Sequence, residues 1–385
     1  MKSNVVCCTL LATVFPLLSA QASTPFKPER IGVEKEIKPG PNVYVMDQSW
    51  SGSTNITVVS AENMKTKGNI STGLIAQMLL SNDNKQLYTA SVYPKRIVWG
   101  ETDAVVQRFN IASLSLLKEM STSPKMAQVS ANINTFKLST NEKYALVQNA
   151  TPAASVSVIS LESGSQLLEI PTPGCWGIYP SQDDNRFSSL CGDGTVTSYQ
   201  ISDDGKNYQA TKSDKVFDSD KDALFISSQR DGDNLIFTSF NGSLYLINDK
   251  EAKATLSDKF SYTKGTKGNW VPGGFEVLAL NKPTNLMFVS MHPKGKEGSH
   301  KDGAKEIWGI DMKSHKVVTR VKTKDALSIA VSQTQKPELF ALSEGENGEG
   351  GTVLKYTFKG EKFVGKEVGK ARGLGSFNQM LLVDY

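Results

Sequence analysis

Histidine and cysteine are scarce in this chain, and that scarcity limits its chemistry. Three His and four Cys stand among 385 residues. His292, His300 and His315 lie far from the cysteines in sequence and give no metal set or catalytic triad. There is no H-E-x-x-H, no G-x-S-x-G and no Walker loop. Beyond the N-terminal segment no apolar run approaches the roughly 20 residues that a spanning helix needs. Charges of both signs are interspersed without a basic block, so nucleic-acid binding has no support. Long helix-period patterns are few. Acid pairs such as Asp203-Asp204, Asp218/Asp220 and Asp231/Asp233 sit in polar clusters and read as turn chemistry.

The chain begins with Lys2, an apolar run from Val5 to Leu18, and the small-residue pattern Ala20-Gln21-Ala22. This order is that of a secretory signal cleaved after Ala22. Cys7 and Cys8 lie inside the apolar run, away from the cleavage point, which argues against a lipoprotein. Removing residues 1–22 takes away Lys2 and no acid, so the formal net charge falls from +4 to +3. Residues 23–41, polar and proline-bearing, read as an N-terminal arm. Export leaves Cys175 and Cys191 in an oxidising compartment, where two cysteines most simply form one disulfide. Two buried free thiols are the alternative.

What the chain has in abundance is a repeated strand grammar. Thirty-one glycines and many Ser/Thr/Asn/Asp clusters punctuate short runs of alternating apolar residues. VYVMD (43–47) opens the series. A polar turn followed by two short strands then recurs at SNDNKQLYTASVY (81–93), STNEKYALVQNA (139–150) and SQDDNRFSSLCGDG (181–194). It returns at DGDNLIFTSFNGSLYLIND (231–249), NKPTNLMFVSMHP (281–293) and SQTQKPELFALSE (332–344). Asn241-Gly242 in the fifth unit is a strong hairpin signal. Seven starts with an apolar period of two predict an all-β, seven-bladed propeller of four-stranded antiparallel blades over residues 42–385. The final run, Gln379–Val383, has no blade of its own and is expected to pair with the N-terminal repeat and close the ring. An open solenoid or two β-sandwiches are the competing architectures.

Three local sequences remain. VSMHPKGKEGSHKDGAKEIWGID (289–311) joins two strands by a long basic loop with His292, Lys294, Lys296, His300 and Lys301, a candidate interaction loop or a solvated one. Trp270 in NWVPGG (269–274) reads as packing between blades. Trp50, in the polar loop QSWSGSTN after the first strand, is a candidate pocket wall or interface anchor, with ordinary packing as the alternative.

Several stretches resemble the heavy subunit of the quinoprotein amine dehydrogenases. They are VYVMD (43–47), VQNATPAASVSVIS (147–160), GCW and CGDG (174–176 and 191–194), NWVPGG (269–274), and MHPKGKEGSHK with EIW (291–301 and 306–308). The last two are closer to the aralkylamine branch than to the methylamine branch. The resemblance implies a seven-bladed propeller in a periplasmic heterotetramer of two heavy and two light chains. It implies that this chain carries no cofactor or catalytic residue, and that tryptophan tryptophylquinone is made in the light chain. The reaction would be oxidative deamination of a primary amine to aldehyde and ammonia, with electrons passed to a copper protein such as azurin or amicyanin. The family places an aromatic residue of the loop after the first strand at the mouth of the substrate channel. Trp50 matches it, where relatives tend to have Phe, and Ser53 lies nearby. A disulfide carries over onto Cys175 and Cys191. For the 291–301 loop the resemblance implies no role. The competing functions are a stand-alone exported propeller that binds a ligand, and a lactonase-type propeller hydrolase with acidic and Asn ligands converging on the axis.

Overall fold

In the computed structural model of the chain, the second strand of each sheet is buried on both faces along most of its length, while outer strands such as Tyr208–Lys212 are largely exposed. The strand Asn42–Asp47 shows how. Val43 and Val45 pack into one hydrophobic cluster with Phe340, Leu342 and Val353. Tyr44 and Met46 point the other way, into a cluster with Ala76, Met78 and Leu87. Successive side chains of a strand alternate faces, so a strand buried on both sides serves two cores at once. The same division holds all round the molecule. Seven clusters form seven wedges, each shared by two neighbouring sheets.

The structure describes residues 32, 34–183, 185–344, 350–359 and 364–385. The expected signal segment, 1–22, lies outside them, as does most of the expected arm, 23–41. Residues 36–385 form one compact unit, a seven-bladed antiparallel propeller.

Blade 1 holds Asn42–Asp47, Thr54–Ser60 and Thr66–Thr72, and its inner strand is Asn378–Val383 from the far end of the chain. Val43 faces Val383, Val45 faces Leu381 and Met46 faces Met380 across this closure, as the sequence predicts. Polar groups fix the seam. Asp384 accepts from the Asn42 backbone N–H and side-chain amide at 2.7 Å and from the Tyr44 hydroxyl at 2.9 Å. The Lys355 ammonium of blade 7 donates to the Ala61 carbonyl of blade 1 at 2.7 Å.

Blades 2 to 5 and blade 7 each run from an inner to an outer strand through four strands. In blade 3, for example, Phe136–Leu138 is innermost and Gln166–Pro171 outermost. Blade 6 departs from the four-strand expectation. Its inner strand is broken into Val271–Pro272 and Leu278–Asn281, both paired with Leu286–His292. Gly273 and Gly274 cause the break. A Cβ on Gly273 would lie 2.5 Å from the Asp302 carbonyl oxygen, and Gly274 has φ +122, a backbone region that disfavours other residues. Trp270 packs beside this break against the core shared by blades 5 and 6, with its ring 5.4 Å from that of Trp308.

Because strands alternate in direction, each face of the ring has its own kind of connection. One face, the linker face, carries the loops between second and third strands and the blade-to-blade links. The other, the hairpin face, carries the remaining turns. Between them the axis is crossed by the short 3-10 turn Ile133–Thr135. Glu276 anchors that turn, accepting from the Ile133 N–H at 2.7 Å and from the Ser227 hydroxyl at 3.0 Å. Burial pushes the Glu276 carboxyl up to about 7, because the charged form is desolvated.

Two predictions follow from this core. Leu381, buried in the closure wedge, is expected to cost about 2–5 kcal/mol of unfolding free energy when cut to Ala, read by urea denaturation. Glu276 keeps in the folded state a proton that the unfolded chain releases at its ordinary carboxylate pKa. Its contribution is therefore fullest below that value and declines as pH rises from about 4.5 to about 7. Glu276→Gln is expected to remove that decline from the stability–pH curve.

Candidate functional site

The loop after Asp47 is anchored at both ends and free in the middle. Gln48 is fully buried and donates to the carbonyls of Ala76 at 3.0 Å and Val129 at 3.1 Å. Thr54, also buried, starts the next strand and accepts from the Ser49 N–H at 3.3 Å. Between these anchors Trp50 is 46% exposed and Ser53 is exposed. A large indole is thus held on the linker face by a loop whose feet reach the axis.

The matching loop of the adjacent blade 2, residues 95–101, is more apolar still. Ile97 is 74% exposed, Trp99 61%, and Val98 and Tyr93 stand in solvent with them. The loop is rigidly closed. Lys95 pairs with Glu101, the Lys95 N–H donates to the Glu101 carbonyl at 2.9 Å, and the Arg96 guanidinium lies 4.6 Å over the Trp99 ring. Ile97 has φ 65, a left-handed conformation unfavourable for a β-branched residue by about 1–2 kcal/mol. Four of the large exposed apolar side chains, Trp50, Ile97, Val98 and Trp99, therefore belong to equivalent loops of two neighbouring blades, and Tyr93 stands near the end of the strand that leads into the second loop.

Cys175 and Cys191 also lie at the linker face, where blade 4 begins. They are opposed on adjacent strands and joined by a disulfide. The Gly192 N–H to Gly174 carbonyl bond at 2.9 Å marks them as a non-hydrogen-bonded pair, the arrangement in which opposed side chains approach most closely. Beside them is a hollow of about 430 Å³ walled by Trp176, Phe217 and Leu224.

The 293–303 loop of blade 6 reaches the same face and is packed rather than loose. Ser299 is buried, and the His300 ring stacks on Phe240 of blade 5 at 5.0 Å. His292 Nε2 is 3.4 Å from the Asp302 carboxylate. Lys294 and Lys301 are exposed. The structure thus puts all the candidate residues on one face, but on different blades and in no single cluster. Among the described residues no group of three or more His, Cys, Asp or Glu is placed to hold a metal ion, and no helix is long and apolar enough to cross a membrane. The acid pairs do cap turns: Asp204 accepts from the Lys206 N–H and the Ser202 hydroxyl, and Asp218 from the Asp220 N–H.

The Trp–Trp contact recorded among the described residues is Trp270–Trp308. Trp308 is fully buried, its N–H donates to Glu306 at 2.8 Å, and the Arg320 guanidinium sits 4.5 Å over its ring. That pair packs in the core shared by blades 5 and 6, with Trp308 fully buried and Trp270 partly so.

A family model, that of the methylamine dehydrogenase heavy chain (MADH), matches residues 40–384. The chain belongs to this family. A methylamine dehydrogenase heavy chain from Methylobacillus flagellatus is 26% identical over 340 residues, covering 86% of this chain and 82% of the relative. Those of Methylophilus methylotrophus and Methylorubrum extorquens are each 24% identical, covering 78% and 88% of this chain and 75% and 82% of the relatives. Among solved structures, a Bacteroides fragilis protein assigned as a candidate 6-phosphogluconolactonase superposes with TM-score 0.61 at 12% identity, covering 90% of this chain and 98% of its own. Dihydro-heme d1 dehydrogenase NirN superposes with TM-score 0.54 at 12% identity, covering 93% of this chain and 77% of its own. At that identity these two share the propeller fold alone. The methylamine and aralkylamine branches are not separated by these comparisons.

Sequence reasoning singled out Trp50 and missed the loop beside it. The signal was present: Ile97-Val98-Trp99 places three large apolar residues between Arg96 and Gly100, where a hairpin calls for turn residues. The left-handed backbone of Ile97 gives a direct check that the loop is shaped for exposure and not for folding. Ile97→Gly is expected to leave the unfolding free energy unchanged or up to about 1 kcal/mol higher, by urea denaturation. A clear fall would make Ile97 a contributor to the fold.

Proposed function

We propose that this chain is the cofactor-free heavy subunit of an amine dehydrogenase, and that it seats a light chain on its linker face. The observation that carries the reading is the set of exposed apolar side chains Trp50, Tyr93, Ile97, Val98 and Trp99 on one face of two adjacent blades. Large exposed apolar patches mark interaction sites, and Trp and Tyr are favoured anchors within them. Membership of a family of dehydrogenase heavy chains supports a light chain as the occupant. Lys294 and Lys301, on the same face, would form part of the charged rim.

On this reading the light chain carries tryptophan tryptophylquinone, which supplies the redox chemistry, and the substrate is a primary amine of the aralkylamine class. The amine leaves as aldehyde and ammonia, and electrons pass to a copper protein of the azurin or amicyanin type. The assembly is a heterotetramer of two heavy and two light chains, periplasmic after removal of residues 1–22. This chain's own contribution is mechanical. It holds the light chain, excludes water from the covered surface, and sets with Trp50 and Ser53 how much room an amine has at the channel mouth. The buried Gln48 and Thr54 at the feet of that loop keep the indole in place.

Two measurements test the reading. Trp50→Ala is expected to change the ratio of kcat/KM for a bulky aralkylamine over methylamine by about tenfold, or roughly 1.4 kcal/mol, with the quinone absorbance unchanged; a constant ratio across an amine series contradicts the role of Trp50. Replacing Ile97 and Trp99 by Asp is expected to leave the heavy chain folded and to release the light chain in sedimentation experiments. A complex of unaltered stability contradicts the docking surface.

A further inference from the structure

The hairpin face, opposite the candidate docking surface, opens into a cavity of about 520 Å³ on the propeller axis. That volume suits a small organic ligand. Its walls are mixed. Leu79, Leu138, Leu235 and Leu382 give it apolar sides. Its polar groups below the rim are already committed within the chain. Asn84 donates to the Asp384 carbonyl, Asn134 to Ile226, Gln229 to Leu278, and the Ser139 hydroxyl to Asn141. The Arg230 guanidinium forks onto the Asp249 carboxylate at 2.8 and 2.6 Å.

Lys137 is the exception. It lines the cavity from the inner strand of blade 3, and its ammonium has no hydrogen-bond or ion-pair partner among the described residues. Glu276, whose oxygens accept from Ile133 and Ser227, acts on it electrostatically without a hydrogen bond, and the Arg230 guanidinium acts in the opposite sense. Burial draws the Lys137 ammonium down to about 8. A half-buried ammonium that faces the cavity without a hydrogen-bond partner is open to a bound anion, which it would hold by charge-assisted hydrogen bonding. With the Arg230 guanidinium held by Asp249, one uncommitted cation beside apolar walls fits one carboxylate on an apolar body better than a compact multivalent anion.

We propose that the axial cavity on the hairpin face is a binding site for a small monocarboxylate with an apolar body, its carboxylate paired with the Lys137 ammonium. The site is built wholly from this chain and does not depend on the docking of a partner on the opposite face. Isothermal titration of the full chain with benzoate tests it, with benzamide as the neutral isostere and inorganic phosphate as the compact anion. Benzoate is expected to bind at least tenfold more tightly than either. Lys137→Met is expected to lower benzoate affinity at least tenfold, and Lys137→Arg to retain it. No benzoate binding at millimolar concentration, equal binding of benzoate and benzamide, or unchanged affinity in Lys137→Met would overturn the proposal. Phosphate binding as tight as benzoate would overturn the apolar body. The benzoate–benzamide contrast uses the unaltered protein, so it decides the matter even where Lys137→Met fails to fold.

Discussion

The pairing of the last strand with the first holds this molecule together. No blade has a core of its own. Each hydrophobic cluster is a wedge between two blades, so a blade on its own would leave both of its inner faces in water. Ring closure removes the two sheets that would otherwise be terminal, a general solution to the problem of unpartnered edges. Here closure rests on Met380 and Leu381, which point into different wedges, and on a polar seam. In that seam Asp384 is tied to Asn42 and Tyr44, and Asp47 accepts from the backbone N–H groups of Ser376 and Phe377. The contacts join residues more than 300 positions apart, so the whole chain must be in place before they form.

Closure also decides where function is displayed. Equivalent loops of neighbouring blades emerge side by side on one face, and blades 1 and 2 use theirs to hold indoles and aliphatic side chains in solvent. Gln48 shows the connection between scaffold and surface. Its amide is fixed at the axis, and the indole two residues on stands outside. The Ile97 backbone is held in an unfavourable conformation at a loop tip with little to gain from its own packing, a pattern that accompanies functional surfaces. On the proposed reading, such a chain contributes shape and contact area to an oxidation whose reactive group belongs to a partner.

The repeat, the closure and the disulfide were all legible in the sequence because each is written in local pattern. Alternating VYVMD declares a strand buried on both sides, Asn241-Gly242 declares a turn, and two cysteines in a chain expected to be exported point to a staple. The interrupted inner strand of blade 6 was not legible, because Pro272-Gly273-Gly274 signals a bend without saying that a strand resumes beyond it. The Ile97-Val98-Trp99 stretch puts large apolar residues where a turn belongs, but residue type alone does not say that they stand in solvent. Lys137 and Glu276 were invisible for a deeper reason. They sit in the ordinary stretches FKL and FEV, and only the closed ring brings blades 3, 5 and 6 together at the axis, giving Glu276 its partners Ile133 and Ser227 and setting Lys137 in the axial cavity. The candidate residues were found one by one, and their common face follows from topology.

The central claim is that this propeller serves amine oxidation as a subunit whose redox centre lies in a bound light chain. The most direct measurement is the visible spectrum of the complex purified from its native host, before and after adding a primary amine without an electron acceptor. The account predicts that this chain co-purifies with a small Cys-rich chain carrying a quinone band, and that stoichiometric amine bleaches the band. A colourless protein that purifies alone, or a chromophore indifferent to amines, would contradict it.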